Sequence, residues 1–268
     1  MRVATWNIRS AIGPGSFPDR WWSRIDADRL RAIGSFIGDM DADVIALQEV
    51  ALLSRDGDLV DNAGDLARQL GMHVRFAAVR TFQVVEEDEL RGVGCFGNAF
   101  LSRLPLRSSH TAALPTAPMD ALVEPPGSDL TGAGLRYADA PSSIREPRCL
   151  LLGEADGLTV GTAHFSHVGS GERLLQARAT VAAFGDRFPA ILLGDLNAAI
   201  DAPELAPLAG WTDGFAGPAD DPARVSTGDG MRIDHVLLRG AAVSNCRVLR
   251  DAGPLSDHLP VVAEVEPG

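Results

Sequence analysis

Short apolar segments, each leading into a polar residue, recur along the chain and constrain its fold more than any other feature. Aliphatic runs this short are typical of buried β-strands, because buried helices need longer runs. Segments with helical spacing lie between several of them. Strands are predicted at 3–8, 44–47, 73–79, 97–102, 148–152, 158–165, 190–193, 233–238 and 259–265. The pattern predicts an α/β protein.

Three further segments have the apolar spacing of helices, and one long segment has no regular pattern. Helices are predicted at 26–39, 62–70 and 171–184. At about 114–147, closely spaced prolines and glycines predict an irregular loop, which is either a binding loop or a disordered segment. No repeat and no shift in composition divides the chain, so residues 1–268 are predicted to form a single domain.

The charge of the chain weighs against a nucleic-acid partner without excluding one. The sequence has 24 basic residues, all of them arginine, against 36 acidic residues, which gives a net charge of -12. Proteins that follow a nucleic-acid backbone usually carry a basic face, because neutralised phosphates supply most of the non-specific affinity. This sequence has no basic run, although a bound divalent cation would change the local sign of the charge.

The three cysteines, Cys95, Cys149 and Cys246, are odd in number and far apart in the sequence. They match neither a disulfide framework nor the spacing of a zinc site, and buried thiols in a reduced compartment are the expected state. The first residues already have the pattern of a strand rather than a signal peptide. No apolar run approaches the roughly 20 residues of a membrane helix. A cytoplasmic location is predicted.

Polar side chains follow the predicted strands where each strand ends. Taken singly, Asn7 is typical of a turn, Glu49 of a surface carboxylate and His164 of a hydrogen-bonded core histidine. Asp195 and Asn197 carry more information, because side chains at i and i+2 of an extended segment point to the same side. Such a pair of acceptors is suited to holding one reacting water or one ion.

Seven sequence blocks combine these residues in a fixed order. They are Trp6-Asn7-Ile8-Arg9, Gln48-Glu49-Val50, Gly97 to Arg103, Thr162-Ala163-His164-Phe165, Gly194 to Ala198, Arg232 to Val236 and Ser256 to Pro260. As a set, the blocks resemble the endonuclease/exonuclease/phosphatase superfamily, which includes deoxyribonucleases, inositol polyphosphate phosphatases and sphingomyelinases. The resemblance implies a four-layer αββα sandwich, in which two mainly antiparallel sheets pack face to face between flanking helices.

The resemblance also implies roles for the residues that face the phosphate. Asp195 positions or deprotonates the attacking water, and Asn197 holds a phosphate oxygen. His258 contacts the scissile phosphate as a stabiliser or as a general base, and His164 is a second phosphate-facing histidine. Asp234 supports the site.

The resemblance further implies a metal site and several substrate contacts. Glu49 is the principal metal ligand, with Asn7 close by. Asp257 orients His258 and is a further candidate ligand. The substrate-binding candidates are Asn98, Arg148 and Arg9. Oxygen ligands without cysteine favour Mg²⁺ or Mn²⁺ over Zn²⁺, and one or two ions are consistent with the sequence.

These residues predict a metal-dependent hydrolase of phosphoester bonds. No motif for a covalent nucleophile is present, so direct attack by water is expected. A small or lipid-linked phosphomonoester or phosphodiester is the favoured substrate, and a DNA or RNA nuclease is the alternative. A nuclease would need aromatic or arginine wedges; candidates are Arg9, Trp21, Trp22, Arg24 and Arg103. A binding module without activity is disfavoured, because no catalytic position is missing.

Overall fold

Two β-sheets form the centre of the computed structural model, which describes residues 1–15, 20–116, 146–215 and 221–267. The helices within these residues are α1 (Ala27–Met40), α2 (Asn62–Leu70) and α3 (Ser170–Phe184). The strands are β1 (Arg2–Asn7), β2 (Val44–Arg55), β3 (Asp58–Asp61), β4 (His73–Glu86), β5 (Glu89–Ser102), β6 (Arg107–Leu114), β7 (Arg148–Ala155), β8 (Leu158–His164), β9 (Ala190–Asp195), β10 (Thr212–Asp213), β11 (Asp234–Arg239), β12 (Ala241–Val248) and β13 (Val261–Pro267).

The two sheets are mixed but mainly antiparallel. The first has the order β12-β13-β1-β2-β5-β4, with β3 paired to β2, and the second has the order β10-β11-β9-β8-β7-β6. Within the described strands, only β1 with β2 and β8 with β9 are parallel neighbours. One core lies between the sheets, a second lies under α1 and α2, and a third lies under α3. The predicted αββα sandwich is confirmed.

Alternating residues of one strand pack into different hydrophobic cores. In β2, Val44 and Ala46 pack between the sheets, whereas Ile45 and Leu47 pack under the helices. A strand covered on both faces needs apolar residues at every position, and this requirement explains the uninterrupted apolar runs of the sequence. Asp26 begins α1, because its carboxylate accepts hydrogen bonds from the backbone N–H groups of Asp28 and Arg29.

Several strands are longer than predicted or were not predicted at all. β2 continues past Glu49 to Arg55, and β4 and β5 extend to a turn at 87–88. The sequence also gave no indication of β3, β6, β10 and β12. Most of β6 is exposed, and β12 alternates between exposed and half-buried residues. Edge strands of this kind lack the apolar run by which a central strand is detected.

The predicted loop at about 114–147 lies mostly outside the described residues, which exclude 117–145. Its flanks are β6 and β7, whose residues Leu114 and Arg148 are paired across the sheet. The three cysteines are free: Cys149 is buried, while Cys95 and Cys246 are half-buried rather than buried as expected. None of the helices in the described parts of the chain is long and apolar enough to cross a membrane. The single-domain organisation stays a prediction.

Candidate active site

Strand register places three polar side chains in a row across the second sheet. His164, the last residue of β8, is paired with Asp195, the last residue of β9, and Asp195 is paired with Asp234, the first residue of β11. Directly opposed residues of neighbouring strands share a face. His164 Nε2 lies 3.4 Å from Asp195 Oδ2. One end of this sheet therefore presents a histidine and two carboxylates together.

Gly194 allows the chain to reach this row. Its φ is +151°, and a Cβ on this residue would lie 2.0 Å from the carbonyl oxygen of Ala163 in the neighbouring strand. Only glycine fits so close an approach of two backbones. The sequence therefore needs a glycine immediately before Asp195.

The first sheet contributes Asn7 and Glu49 from its parallel strands. Asn7 ends β1, and its amide Nδ2 donates to Glu49 Oε1 at 2.9 Å and to Asp195 Oδ2 at 3.1 Å. Its Oδ1 accepts the backbone N–H of Arg9 at 3.0 Å. Asn7 is almost fully buried and joins the two sheets at their common end.

Glu49 was predicted to lie at the end of a strand. It lies instead at a bulge inside β2. The pairing of β2 with β5 shifts between Leu47 and Val50, and Glu49 has a φ of +55°. A bulge turns one side chain out of the alternation of its strand. Strained backbone of this kind persists where surrounding contacts hold it, and the backbone carbonyl of Glu49 accepts the hydroxyl of Ser10 at 2.8 Å.

His258 comes from the segment before β13 and lies against the row in the second sheet. Its Nδ1 is 2.8 Å from Asp234 Oδ2, and its Nε2 is 3.7 Å from Asp195 Oδ2. Asp234, and not Asp257 as predicted, is the carboxylate that orients the ring. Asp257 instead lies 3.2 Å from the guanidinium of Arg9. The reason is that adjacent residues of an extended segment point to opposite sides.

The pKa of Asp195 is raised to about 7. Burial is the main cause, because the charged carboxylate loses hydration, and the nearby carboxylate of Asp234 adds to the effect. The charge of His258 and the hydrogen bonds from Asn7 and from the backbone N–H of Asn197 act in the opposite direction. Asp195 is thus a base whose pKa lies near neutral pH.

The two histidines beside Asp195 have opposite pKa shifts. Burial alone would lower the pKa of His258, but the carboxylates of Asp234 and Asp195 outweigh it and raise the pKa to about 10. Burial and the positive charge of Arg148 hold the pKa of His164 well below its usual value. At neutral pH, His258 is therefore an imidazolium and His164 is a neutral imidazole.

The predicted substrate-binding residues are all buried. Arg148 lies 3.0 Å from His164 Nδ1, and its Nε has no hydrogen-bond partner among the described residues. Asn98 donates to the backbone carbonyl of Cys149 at 3.1 Å, which fixes the strand that carries Arg148. Arg9 also donates to the backbone carbonyl of Gly13, at 2.7 Å.

The sequence of the chain matches a known protein family. A model of the endonuclease/exonuclease/phosphatase family matches residues 4–258, a span that includes all of the site residues named above. The chain belongs to this family. No curated protein sequence matches the chain.

Solved structures share the fold at low identity. An endonuclease/exonuclease/phosphatase from Beutenbergia cavernae has 24% identity and a TM-score of 0.72, and the match covers 100% of this chain and 71% of that chain. A mannosyl-6-phosphatase from Bacteroides thetaiotaomicron has 18% identity and a TM-score of 0.59, with 99% of both chains covered. The catalytic domain of human Nocturnin has 17% identity and a TM-score of 0.62, with 99% and 93% covered. Members of the family are phosphoester hydrolases that depend on divalent metals, and this chain is one in that general sense.

The carboxylates of this family member fit a divalent cation. Burial raises the pKa of Glu49, and Asp257 raises it further through its charge. The hydrogen bond from Asn7 and the charges of His258 and Arg148 act in the opposite direction without cancelling the shift. A hard cation beside this buried carboxylate would stabilise its charged form. Asp195, Asp234 and His258 also bring one donor atom each within 4.8 Å of one another. Asp234 Oδ2 already bonds to His258 Nδ1 at 2.8 Å, whereas Asp234 Oδ1 is buried without a hydrogen-bond partner among the described residues. Glu49 is the first ligand candidate, and the free oxygen of Asp234 is a further one.

A groove of about 730 Å³ opens beside Asn197, Asp257 and His258. Its apolar wall consists of Pro14, Met231, Ile233, Pro254 and Leu259. Among the described residues, no arginine lines the groove, and a second carboxylate, Asp229, does.

Sequence reasoning missed several residues that hold the site together. Gln48 donates to Thr162 at 3.0 Å between the sheets, and the hydroxyl of Ser226 accepts the backbone N–H of Asp234 at 3.2 Å. His167 lies 3.3 Å from Arg148, and Glu146 pairs with the same arginine at 3.2 Å. Only Gln48 and Thr162, which stand beside Glu49 and His164 in quoted blocks, had a signal in the sequence.

Proposed function

We propose that this family member hydrolyses a small or lipid-linked phosphomonoester or phosphodiester by direct attack of water, with one or two Mg²⁺ or Mn²⁺ ions. The observation that carries the proposal is the position of Asp195. Its carboxylate lies between the two histidines, and the amide of Asn7 and the backbone N–H of Asn197 bond to it. A buried base with a pKa near neutrality is suited to accept a proton from water.

The remaining polar groups of the site suit the charge that develops on phosphate oxygens. His258, as an imidazolium, neutralises a non-bridging oxygen, and this protonation state favours a stabilising role over that of a general base. The side-chain amide of Asn197 donates to the backbone carbonyl of Phe165 at 3.0 Å, and its second N–H holds another phosphate oxygen. Asp234 fixes the ring of His258 in place at 2.8 Å.

Glu49 holds the cation, and Asp257 is its second candidate ligand. Asn7 turns its nitrogen toward Glu49, so it supports the ligand in this orientation and binds the ion itself only after its amide turns over. A bound Mg²⁺ or Mn²⁺ supplies electrophilic polarisation of the phosphoryl group. The number of bound ions, one or two, depends on how many carboxylate oxygens of Glu49 and Asp257 face the substrate.

The substrate class rests on the groove beside His258. Its apolar wall and its two carboxylates disfavour the repeated negative charges of a nucleic acid and favour an uncharged organic group on the ester. Three of the five candidate wedges of the nuclease alternative, Trp21, Trp22 and Arg103, have other contacts. Trp21 and Trp22 pack against Phe82, with ring centroids 5.1 and 5.7 Å away, and Arg103 pairs with Asp41. A cytoplasmic location stays a prediction from the sequence.

A panel of phosphoesters, each assayed with Mg²⁺ and with chelator, tests the proposal. p-Nitrophenyl phosphate and a series of alkyl p-nitrophenyl phosphates with increasing chain length are compared with plasmid and single-stranded DNA. We expect chelator-sensitive hydrolysis of the synthetic esters. Asp195→Asn should lower kcat by about 10²- to 10⁴-fold without unfolding the protein, because the lost group acts as the base. Unchanged turnover in this variant would contradict the role of Asp195.

Variants of the groove test the substrate class separately. Met231 is 47% exposed and lines the groove, so Met231→Asp should lower kcat/KM for long-chain esters but not for the methyl ester. Leu59→Asp, on β3, is the matched control, since Leu59 is 69% exposed and outside the groove. Efficient degradation of DNA that disappears in His258→Ala would replace the proposal with the nuclease alternative.

A further inference from the structure

Arg148 is buried among ionisable groups at the start of β7. It is 4% exposed. One guanidinium nitrogen lies 3.0 Å from His164 Nδ1, and the other lies 3.3 Å from His167 Nδ1 and 3.2 Å from Glu146. The carboxylate of Glu146 balances the charge of the arginine, and the two ring nitrogens complete its contacts at this end.

The chemistry of the guanidinium decides which nitrogen of His164 carries the proton. A guanidinium has only donors and stays protonated in proteins. His164 Nδ1 must therefore accept, so it carries no proton, and the single proton of the neutral ring lies on Nε2. That nitrogen faces Asp195 Oδ2 at 3.4 Å. A doubly protonated ring would place two donors against each other at 3.0 Å.

His258 has the opposite arrangement on the other side of Asp195. Its Nδ1 faces a carboxylate, Asp234, at 2.8 Å, so this nitrogen keeps its proton. One histidine is thus backed by a cation and the other by an anion. The partner behind each ring, rather than the shared neighbour Asp195, distinguishes the two.

We propose that Arg148 is a positioning residue that holds His164 as the neutral Nε2–H tautomer, which donates a fixed hydrogen bond into the active site. The inference rests on the proposed function, since the acceptor in the reaction is Asp195 or a phosphoryl oxygen beside it. His164 then neither gives up nor takes a proton during turnover. This positioning role of Arg148 differs from the role predicted from the sequence, which was a direct contact to phosphate.

A direct contact to substrate is the competing interpretation, and the structure identifies the atom that would make it. Arg148 Nε is buried and has no hydrogen-bond partner in the described parts of the chain. A phosphate contact from this atom would appear in KM and in product inhibition. Control of the His164 tautomer would appear in the nitrogen-15 NMR signals of the ring and in kcat.

Nitrogen-15 NMR of the histidine rings tests the tautomer directly. The signals of His164 are assigned by their loss in His164→Gln. In the wild-type protein we expect a protonated Nε2 and an unprotonated Nδ1 across pH 6 to 8, as for a neutral histidine whose partner is a permanent donor. In Arg148→Met the two nitrogens should move toward averaged values. Arg80→Met is the matched control, because Arg80 also pairs with Glu146, at 2.9 Å. A wild-type His164 that is protonated on Nδ1 would overturn the proposal, even if Arg148→Met did not fold.

Kinetics separate positioning from binding. Arg148→Met should lower kcat on the order of tenfold or more, as expected when a donor to the transition state is lost or misdirected. KM and inhibition by inorganic phosphate should stay close to wild type, and added guanidinium, but not methylammonium, should restore turnover. A raised KM with unchanged kcat would instead assign Arg148 to substrate binding. If the wild-type protein hydrolyses none of the phosphoesters, the proposed function fails, while the NMR result still decides the tautomer.

Discussion

At the scale of single residues, side chains of the same type have different protonation states and roles in the site, because their neighbours differ. Asp195 and Asp234 are adjacent in the sheet, yet burial raises the pKa of Asp195 while Asp234 is committed to His258 at 2.8 Å. The two histidines differ in the same way, because the pKa of His258 is raised and that of His164 is lowered, and such opposite shifts are typical of acid–base sites. The function of each residue is therefore a property of its surroundings.

The raised pKa of His258 predicts how stability depends on pH in the chelated protein. The folded-state pKa is about 10, against about 6.5 for an unfolded chain, so the stabilisation is fully present below pH 6.5 and is lost as pH rises through about 10. Between pH 7 and 8.5 His258 should lower the free energy of unfolding by about 1.4 kcal/mol per pH unit. Urea denaturation with chelator present measures this slope.

Comparison with a His258 variant isolates the contribution of His258 from those of the other groups that titrate near this window. Asp195 has a folded-state pKa of about 7, so most of its effect on the free energy of unfolding occurs below the window. Burial raises the pKa of Cys149 and Cys246 to about 12 and also raises the pKa of Cys95, so these thiols add to the slope as pH approaches the unfolded-chain value of about 8.5. His258→Gln should have a flatter profile between pH 7 and 8.5. An equal slope in this variant would contradict the assignment.

At the scale of elements, irregularities in two strands place the site. The bulge in β2 turns Glu49 toward the other sheet, with a φ of +55°. Gly194 lets β9 approach β8 closely before Asp195. Both features interrupt the regular pattern at the residue where a functional side chain is needed, which is where local strain is expected in a protein.

Gly194→Ala is predicted to damage both stability and activity. The added Cβ would lie 2.0 Å from the carbonyl oxygen of Ala163, so β8 and β9 would have to separate. We expect a loss of about 1–3 kcal/mol in the free energy of unfolding, the range for overpacked sites, and a lower kcat from displaced Asp195. Gly210→Ala, whose Cβ would meet nothing within 4 Å, is the control. Chemical denaturation and turnover of both variants measure the effects, and equal stability would refute the prediction.

At the scale of the whole molecule, the site is the place where the two sheets are joined. Asn7 of the first sheet bonds to Asp195 of the second, and Gln48 bonds to Thr162. The hydroxyl of Ser256, just before His258, donates to the backbone carbonyl of Asn7 at 2.8 Å. Any ligand held at this end therefore stabilises the packing of the sheets.

Divalent cations are accordingly predicted to raise the thermal midpoint of the protein. At 100 times the dissociation constant, a ligand that binds only the folded state adds about 2.7 kcal/mol, which corresponds to roughly 5 °C or more for a chain of this size. Glu49→Gln should abolish most of this shift, because the charged ligand is lost. Scanning calorimetry with Mg²⁺ and Mn²⁺, against chelator, measures the difference. A full shift in Glu49→Gln would exclude Glu49 as the principal ligand.

Much of the fold was predictable because the central strands and helices carry local signals. β1, β9 and β11 are apolar runs covered on both faces, and α1 begins at a capping aspartate. β6 and β12 were missed, since strands that are largely exposed have compositions similar to loops. The far halves of β4 and β5 were missed for the same reason.

By itself, the sequence determined which residues form the central strands and which polar side chains follow them, with Glu49, at a bulge inside β2, as the exception. These are local properties, set by backbone sterics and side-chain burial. Only the tertiary structure decided the partnerships: Asp234 rather than Asp257 holds His258, Asn7 reaches Asp195 across 188 positions of sequence, and Arg148 meets His164. Hydrogen bonds and ion pairs act over a few ångströms in space, so their partners become known only when distant segments pack together.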